Sequence, residues 1–275
     1  MSNAPASYAT KRWNPITGCS PVSAGCANCW ASRFAKRHAG RFGYPAAAPF
    51  TPTCHADRLD EPLRWRKPQV VAVCFMGDLF HDDIRDDFLA LVFATMQALR
   101  SHLFLVLTKR PARVRSWFND ILAARSEDES VRAMIDTWPL PNLWLGVSVE
   151  DQASADDRIP ILLDTPAAYR WVSIEPQVGP VDLSAFIGGP YVGLPGDKIE
   201  PHYNAGLDWV VTGCEAGPGR RPFDHAWARM TRDQCAAAGV CWYYKQAPDR
   251  VIPSVIVRHP TLDGLRHDAL PWVTP

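Results

Sequence analysis

Short, continuously apolar runs recur along the chain, each stopping at a polar residue. Residues 70–76 end at Gly77-Asp78, and residues 103–107 end at Thr108-Lys109-Arg110. Residues 143–149 stop at Glu150, 170–174 at Glu175-Pro176, 209–212 at Gly213-Cys214-Glu215, and 240–244 at Lys245-Gln246. Runs this short and this apolar predict strands buried on both faces, as in a parallel sheet. A first strand is expected near residues 12–17.

Between these runs the apolar spacing lengthens to the helical period. Asp82-Asp83 predicts the N-cap of a helix whose stripe is Ile84, Phe88, Leu91, Val92 and Leu99, with acids in the first turn. Pro111 opens another, with Val114, Trp117, Phe118 and Ile121 on one face. A shorter helix is expected after Glu150, and one over 225–238 closed by Gly239. A helix directly after Cys29 is expected to turn Trp30, Phe34 and His38 inward and Arg33, Lys36 and Arg37 outward as a solvated face. Repeated strand–helix units imply right-handed crossovers and a parallel sheet, barrel or open. Residues 184–206 break the rhythm with Gly188-Gly189-Pro190, Pro195-Gly196 and Pro201, which predicts a long loop over the site or a peripheral insertion. The tail, residues 247–275, carries Pro253, Pro260 and Pro271 and is expected to be irregular, capping a domain of residues 1–246.

A chain of 275 residues suffices for one α/β domain. Its 29 basic and 29 acidic residues balance, which argues against holding duplex DNA mainly by phosphate neutralisation and leaves open a nucleotide or a locally gripped nucleic acid. Residues 1–10 lack the apolar core of a signal peptide, and no apolar run approaches the roughly 20 residues of a membrane span. A cytoplasmic protein without a membrane partner is the expectation.

The strongest chemical signal is Cys19, Cys26 and Cys29, spaced by the turn formers Pro21, Ser23, Gly25 and Asn28 that let a loop wrap a metal. Three thiolates can hold three irons of a [4Fe–4S] cubane and leave the fourth open, whereas structural zinc takes four protein ligands. Of the other five cysteines, Cys74 and Cys235 read as buried small hydrophobes, and Cys54, Cys214 and Cys241 carry no assigned role. Sites in α/β folds form at the carboxyl ends of strands, where this chain sets Asp78, Lys109, Glu150, Glu175, Glu215 and Lys245. The sequence contains no phosphate-binding Gly-rich loop, zinc helix or Gly-x-Ser-x-Gly elbow. Residues 213–217 resemble such an elbow with Cys214 in place of serine, but no histidine partner is evident and a glycine turn delivering Glu215 is preferred. His55, His81, His102, His202 and His225 read as surface or capping residues, and Arg220-Arg221 as a pair able to hold a carboxylate or phosphate.

With the barrel-like rhythm behind it, the cysteine loop (residues 18–30) resembles the radical S-adenosylmethionine (SAM) superfamily. More closely, the chain resembles a phage-associated three-cysteine-motif family of uncharacterised function. The matching residues are Trp13-Asn14-Pro15, Thr17-Gly18-Cys19, Gly25-Cys26, Cys29, Asp78-Leu79-Phe80, Leu107 to Pro111, Gly146 to Glu150, Ser173 to Pro176, Gly213-Cys214-Glu215, Arg232 to Cys235 and Lys245-Gln246, spanning roughly residues 11 to 247. The superfamily spacing is C-x3-C-x2-C; here the first gap is six residues, and Asn28 stands where an aromatic usually precedes the last cysteine. The resemblance implies an α/β fold, a partial (β/α)6 TIM-like barrel with an irregular C-terminal extension, and a [4Fe–4S] cluster on Cys19, Cys26 and Cys29. It also implies S-adenosyl-L-methionine on the open iron, cleaved to a 5′-deoxyadenosyl radical. Gly77 and Asp78 would bind the SAM amine, and Ser148, Glu150, Ser173 and Glu175 its ribose and carboxylate. Lys109, Glu215 and Lys245 would be left for substrate. The expected partners are a small-molecule or nucleotide substrate, a nucleic acid, and an electron-donor protein.

Two other readings stay open. One is a non-catalytic zinc or iron–sulfur module contacting nucleic acid or protein, with Cys54 or His55 as a fourth ligand. The other is a nucleophilic enzyme using Cys214.

Overall fold

Backbone N–H and C=O groups buried away from water must pair, and the apolar runs do so as strands. The computed structural model describes residues 8–123, 127–188 and 206–272. Contacts divide the chain into two compact units, one of residues 1–22, 29–146 and 164–168, the other of residues 23–28, 147–163 and 169–275.

The first unit begins with β1 (Lys11–Trp13) and β2 (Ile16–Thr17), followed by α1 (Trp30–Arg37) and β3 (Thr53–Cys54). Then come β4 (Val70–Val73), α2 (Asp86–Ala98), β5 (Leu103–Thr108), α3 (Pro111–Ala123), α4 (Glu129–Asp136) and β6 (Leu143–Val149), whose last three residues belong to the second unit. Parallel registers run Lys11 to Val71 between β1 and β4 and Val70 to Leu103 between β4 and β5. Phe80, Phe93, Trp117 and Phe118 form an aromatic core with centroids 4.8–6.3 Å apart.

The second unit holds α5 (Gln152–Leu163), β7 (Tyr169–Ile174), β8 (Trp209–Gly213), α6 (His225–Ala238), β9 (Cys241–Pro248), β10 (Ile256–Arg258), β11 (Thr261–Leu262) and β12 (Leu265–Arg266). Strands β7, β8 and β9 pair in parallel, with Trp171 opposite Trp209 and Trp209 opposite Cys241. Trp171 and Trp209 stack at 5.0 Å. Among the described residues the main sheet has eight strands, in the order β1-β4-β5-β6-β7-β8-β9-β10. The fold is thus mixed α/β, and among the described residues no helix is long and apolar enough to cross a membrane.

Several expectations need correction. The strand near residues 12–17 is two strands, because Asn14-Pro15 interrupts it and Pro15 has no N–H to give a ladder. β2 instead pairs antiparallel with β3. The run 70–76 is strand only to Val73, since Cys74 takes a positive φ of 54°. Helix α2 starts at Asp86, behind Arg85, because Asp82-Asp83 lie in a turn where Ile84 N–H donates to the His81 carbonyl. The inward face of α1 is Ala31 and Ala35, while Trp30 is 48% exposed. Helix α4, with Asp128 as N-cap, was not anticipated; it buries only Val131 and Met134, a stripe too sparse to stand out. The tail is not irregular throughout, because β10 pairs antiparallel with β9 and β11 with β12. Pro253 and Pro260 flank β10 instead of interrupting it, so its ladder survives. Of the expected loop 184–206, residues 189–205 lie outside the described residues.

A candidate cysteine-loop site

Gly18 begins the cysteine loop in the first unit. A Cβ there would lie 2.2 Å from the Thr51 carbonyl oxygen, and one on Gly77 would lie 2.5 Å from the Gly18 oxygen. Both positions therefore need glycine to let two backbones touch. Gly18 N–H donates to Met76 O and Cys19 N–H to Phe50 O, which fixes the start of the loop.

Arg110 does the rest. Its guanidinium sits 3.4 Å from Cys19 Sγ and donates to the Ser20 carbonyl at 3.1 Å and to Ser20 Oγ at 3.0 Å. Behind it is Asp78, 2.9 Å away. Asp78 also accepts from Thr108 Oγ1 (2.7 Å), Phe80 N–H (3.0 Å) and Lys109 N–H (3.3 Å). The pair is buried, Arg110 at 9% and Asp78 at 4% exposure, and a buried charge needs such pairing and hydrogen bonding. His81 Nδ1 accepts from Asp83 N–H, so its Nε2 carries the proton that reaches Ser20 Oγ at 2.8 Å. Burial and the Arg110 guanidinium lower the His81 pKa despite nearby aspartates. Cys29 closes the loop as N-cap of α1, its sulfur accepting from Ser32 N–H at 3.5 Å.

The second unit holds the middle of the loop, residues 23–28, with carboxylates. Gly25 N–H donates to Glu150 Oε1 at 3.3 Å, and a Cβ on Gly25 would stand 2.9 Å from that carboxylate. Glu150 is itself paired with Arg158 at 3.0 Å, and both are buried. Arg158 also donates to the Ser148 carbonyl at 2.7 Å. Asn28 Nδ2 donates to Glu215 Oε2 at 3.0 Å, while Arg221 gives Glu215 its backbone N–H and two guanidinium bonds. Burial pushes the Glu215 carboxyl up, but the bonds from Arg221 and Asn28 outweigh it and hold the pKa below the usual carboxylate range.

Beside these, Glu175 forms an ion pair with Lys245, and Ser148 Oγ donates to the Glu175 carbonyl at 3.3 Å. Ser173 is buried inside β7. Lys109 is half-buried with its backbone on Asp78. The expected site residues thus form two sets. Gly77, Asp78 and Lys109 lie at the ends of β4 and β5 with Cys19, and Ser148, Glu150, Glu175, Glu215 and Lys245 at the ends of β6 to β9 with residues 25 and 28.

Sequence reading gave no role to Arg110, although it stands in the Leu107 to Pro111 motif, and missed Arg158, which lies inside a helix and carries no motif of its own. It also missed Gln177, 1% exposed with neither end of its carboxamide partnered among the described residues, and Asn28 as a ligand of Glu215. Of the doublet Arg220-Arg221, Arg221 binds the Glu215 carboxylate, whereas Arg220 donates to the Pro253 carbonyl.

Cys19, Cys26 and Cys29 are in no disulfide, and each is partly accessible, which suits a donor set that must deprotonate and meet a metal. Among the described residues, no group of three or more His, Cys, Asp and Glu side chains is already drawn together as a metal cage. His55 Nε2 is engaged by Thr17 Oγ1 at 2.8 Å, and Cys54 is exposed. Cys214 is 1% exposed, and burial and Glu175 push its pKa up to about 12, which leaves an inert thiol instead of a nucleophile.

No curated protein and no solved structure matches the chain. One family does, over residues 3–271, and its description is "Protein of unknown function (DUF5131)". The chain belongs to that family.

Proposed function

We propose that the protein is a radical SAM-type enzyme. In this reading its sheet is the partial (β/α)6 barrel of that superfamily, and Cys19, Cys26 and Cys29 hold a [4Fe–4S] cluster. When bound, cluster and SAM together supply a 5′-deoxyadenosyl radical that takes a hydrogen atom from a substrate, here a nucleobase, a nucleotide or DNA.

The observation that carries the reading is the Arg110 guanidinium 3.4 Å from Cys19 Sγ, with Asp78 fixing it from behind. A cation on a sulfur favours its thiolate and offsets the negative charge that three thiolates bring to one place. Ser32 N–H does similar work at Cys29. Glu150 and Glu215 hold the turn around Cys26 through Gly25 and Asn28. Because Glu215 is saturated by Arg221 and Asn28, its part is to hold the loop. Glu175, Ser148 and Ser173 remain for SAM, and Lys109 and Lys245 for substrate. The single open iron is what separates this assignment from a structural zinc site.

Anaerobic reconstitution tests it. The protein should turn brown, carry about four irons and four sulfides, and release 5′-deoxyadenosine from SAM when a strong reductant replaces its electron-donor protein. Cys26→Ala should lose both colour and nucleoside. A colourless protein with one tightly held zinc would instead make it a metal module.

A further inference from the structure

The first 56 residues contain six lysines and arginines and not one Asp or Glu, although the whole chain is neutral. Within this acid-free stretch two rows of side chains repeat every fourth position. Trp30, Phe34, His38 and Phe42 form the aromatic row, and Arg33, Arg37 and Arg41 form a cationic row one position earlier. Side chains four apart lie above one another on a helix, so on α1 the aromatic row runs between the buried Ala31–Ala35 row and the arginines.

The rings are organised. Phe34 and His38 stack at 4.1 Å, and His38 meets Phe42 at 5.5 Å. His38 Nδ1 donates to the Phe34 carbonyl, which fixes the imidazole plane. Phe34 is rooted in a small cluster of Ala31, Ala35, Tyr44 and Met76. The two ends of the row are in water, Trp30 at 48% and Phe42 at 69% exposure. Phe42 has φ 52°, a left-handed backbone that bulky residues rarely take, and Arg58 holds it there by donating to the Phe42 carbonyl at 2.8 Å. Lys36, Arg37 and Arg41 are exposed alongside.

We infer that this face of α1 and the turn after it bind single-stranded nucleic acid. Bases stack on the exposed aromatic ends while the phosphates lie along the arginine row, the combination of stacking platform and cationic track that single strands require. A duplex keeps its bases stacked inside and offers only phosphates, so it leaves the aromatic row unused. The inference does not depend on a cluster, because none of these side chains is a proposed ligand.

The test is fluorescence anisotropy of the full chain, metal-free and without SAM, against labelled oligothymidylate of about 15 nucleotides, the same length of duplex, and heparin. Oligothymidylate should bind more tightly than either competitor, with affinity falling as salt rises. Phe42→Gly, which suits the positive φ and so keeps the fold, should weaken binding about tenfold, and Phe42→Trp should retain it. Arg37→Glu with Arg41→Glu should lower affinity and flatten the salt slope by about two. Three results would each overturn the inference: no binding, equal binding to heparin, or single-strand binding that Phe42→Gly leaves unchanged. Since no iron is present, failure here and failure of the radical SAM assignment are separate results.

Discussion

Two buried ion pairs hold the cysteine loop, and they face it in opposite senses. In the first unit Arg110 points at the loop and Asp78 stands behind it. In the second unit Glu150 points at the loop and Arg158 stands behind. The orientation follows what each meets. Arg110 meets a cysteine sulfur, a group that becomes an anion on binding metal, and the Ser20 oxygens. Glu150 meets the Gly25 backbone N–H, a donor, beside Cys26. The same acid–arginine pair thus turns its cation to the loop in one place and its anion in the other. Glu215, which meets Asn28 and has Arg221 behind it, repeats the second arrangement.

The largest effect should come from breaking either pair. Asp78→Asn leaves Arg110 only the exposed Asp82 carboxylate at 3.7 Å, and Glu150→Gln leaves Arg158 without its carboxylate. Each should cost about 3–5 kcal/mol in urea unfolding, because the remaining charge stays buried. The two should differ in metal retention. Arg110→Met should release iron from the reconstituted protein faster than Arg158→Met, as only Arg110 touches a cysteine sulfur; equal release would erase the contrast.

A smaller loss is expected from Gly77→Ala, whose methyl would stand 2.5 Å from the Gly18 oxygen. About 1–3 kcal/mol is expected from the forced backbone shift, and hydrogen exchange should locate it at residues 17–19. Gly77 is not among the glycines with positive φ, so the loss reports the clash and not backbone strain.

The smallest effect is in pH dependence. The Glu215 carboxyl is held below its ordinary pKa by Arg221 and Asn28. Its stabilising contribution is therefore complete above the unfolded-state value, about 4.3, and disappears as pH falls through the lower folded value. Wild type should exceed Glu215→Gln in urea midpoint near neutrality, and the two should converge in acid. A gap that persists at pH 3 would mean that Glu215 acts by packing.

Much of this was readable along the chain. The strands β4 to β9 show as short apolar runs, and the polar residues closing them were visible without coordinates, as were the three cysteines and the turn formers between them. Helix α6 was readable to its last residue, because Gly239 takes the left-handed C′ conformation that the pattern demands. The partners of those polar residues were not readable. Gly25 and Glu150 are 125 positions apart, and Asn28 and Glu215 are 187 apart. Arg158, on the buried side of α5, looks in sequence like one more charged helix position. The outward helix face after Cys29 shows in sequence only as a charge row, which does not reveal which rings lie exposed beside it.

The order of residues by itself determined the strand–helix alternation, the polar strand ends and the three closely spaced cysteines with their turn formers, since these depend on local periodicity and side-chain chemistry. Only the tertiary structure decided which charges face the loop and which stand behind, and that Gly18, Gly25 and Gly77 are sites of close approach. Those choices are set by contacts between segments far apart in the chain, where burial makes an unpaired charge or an extra methyl too costly to keep.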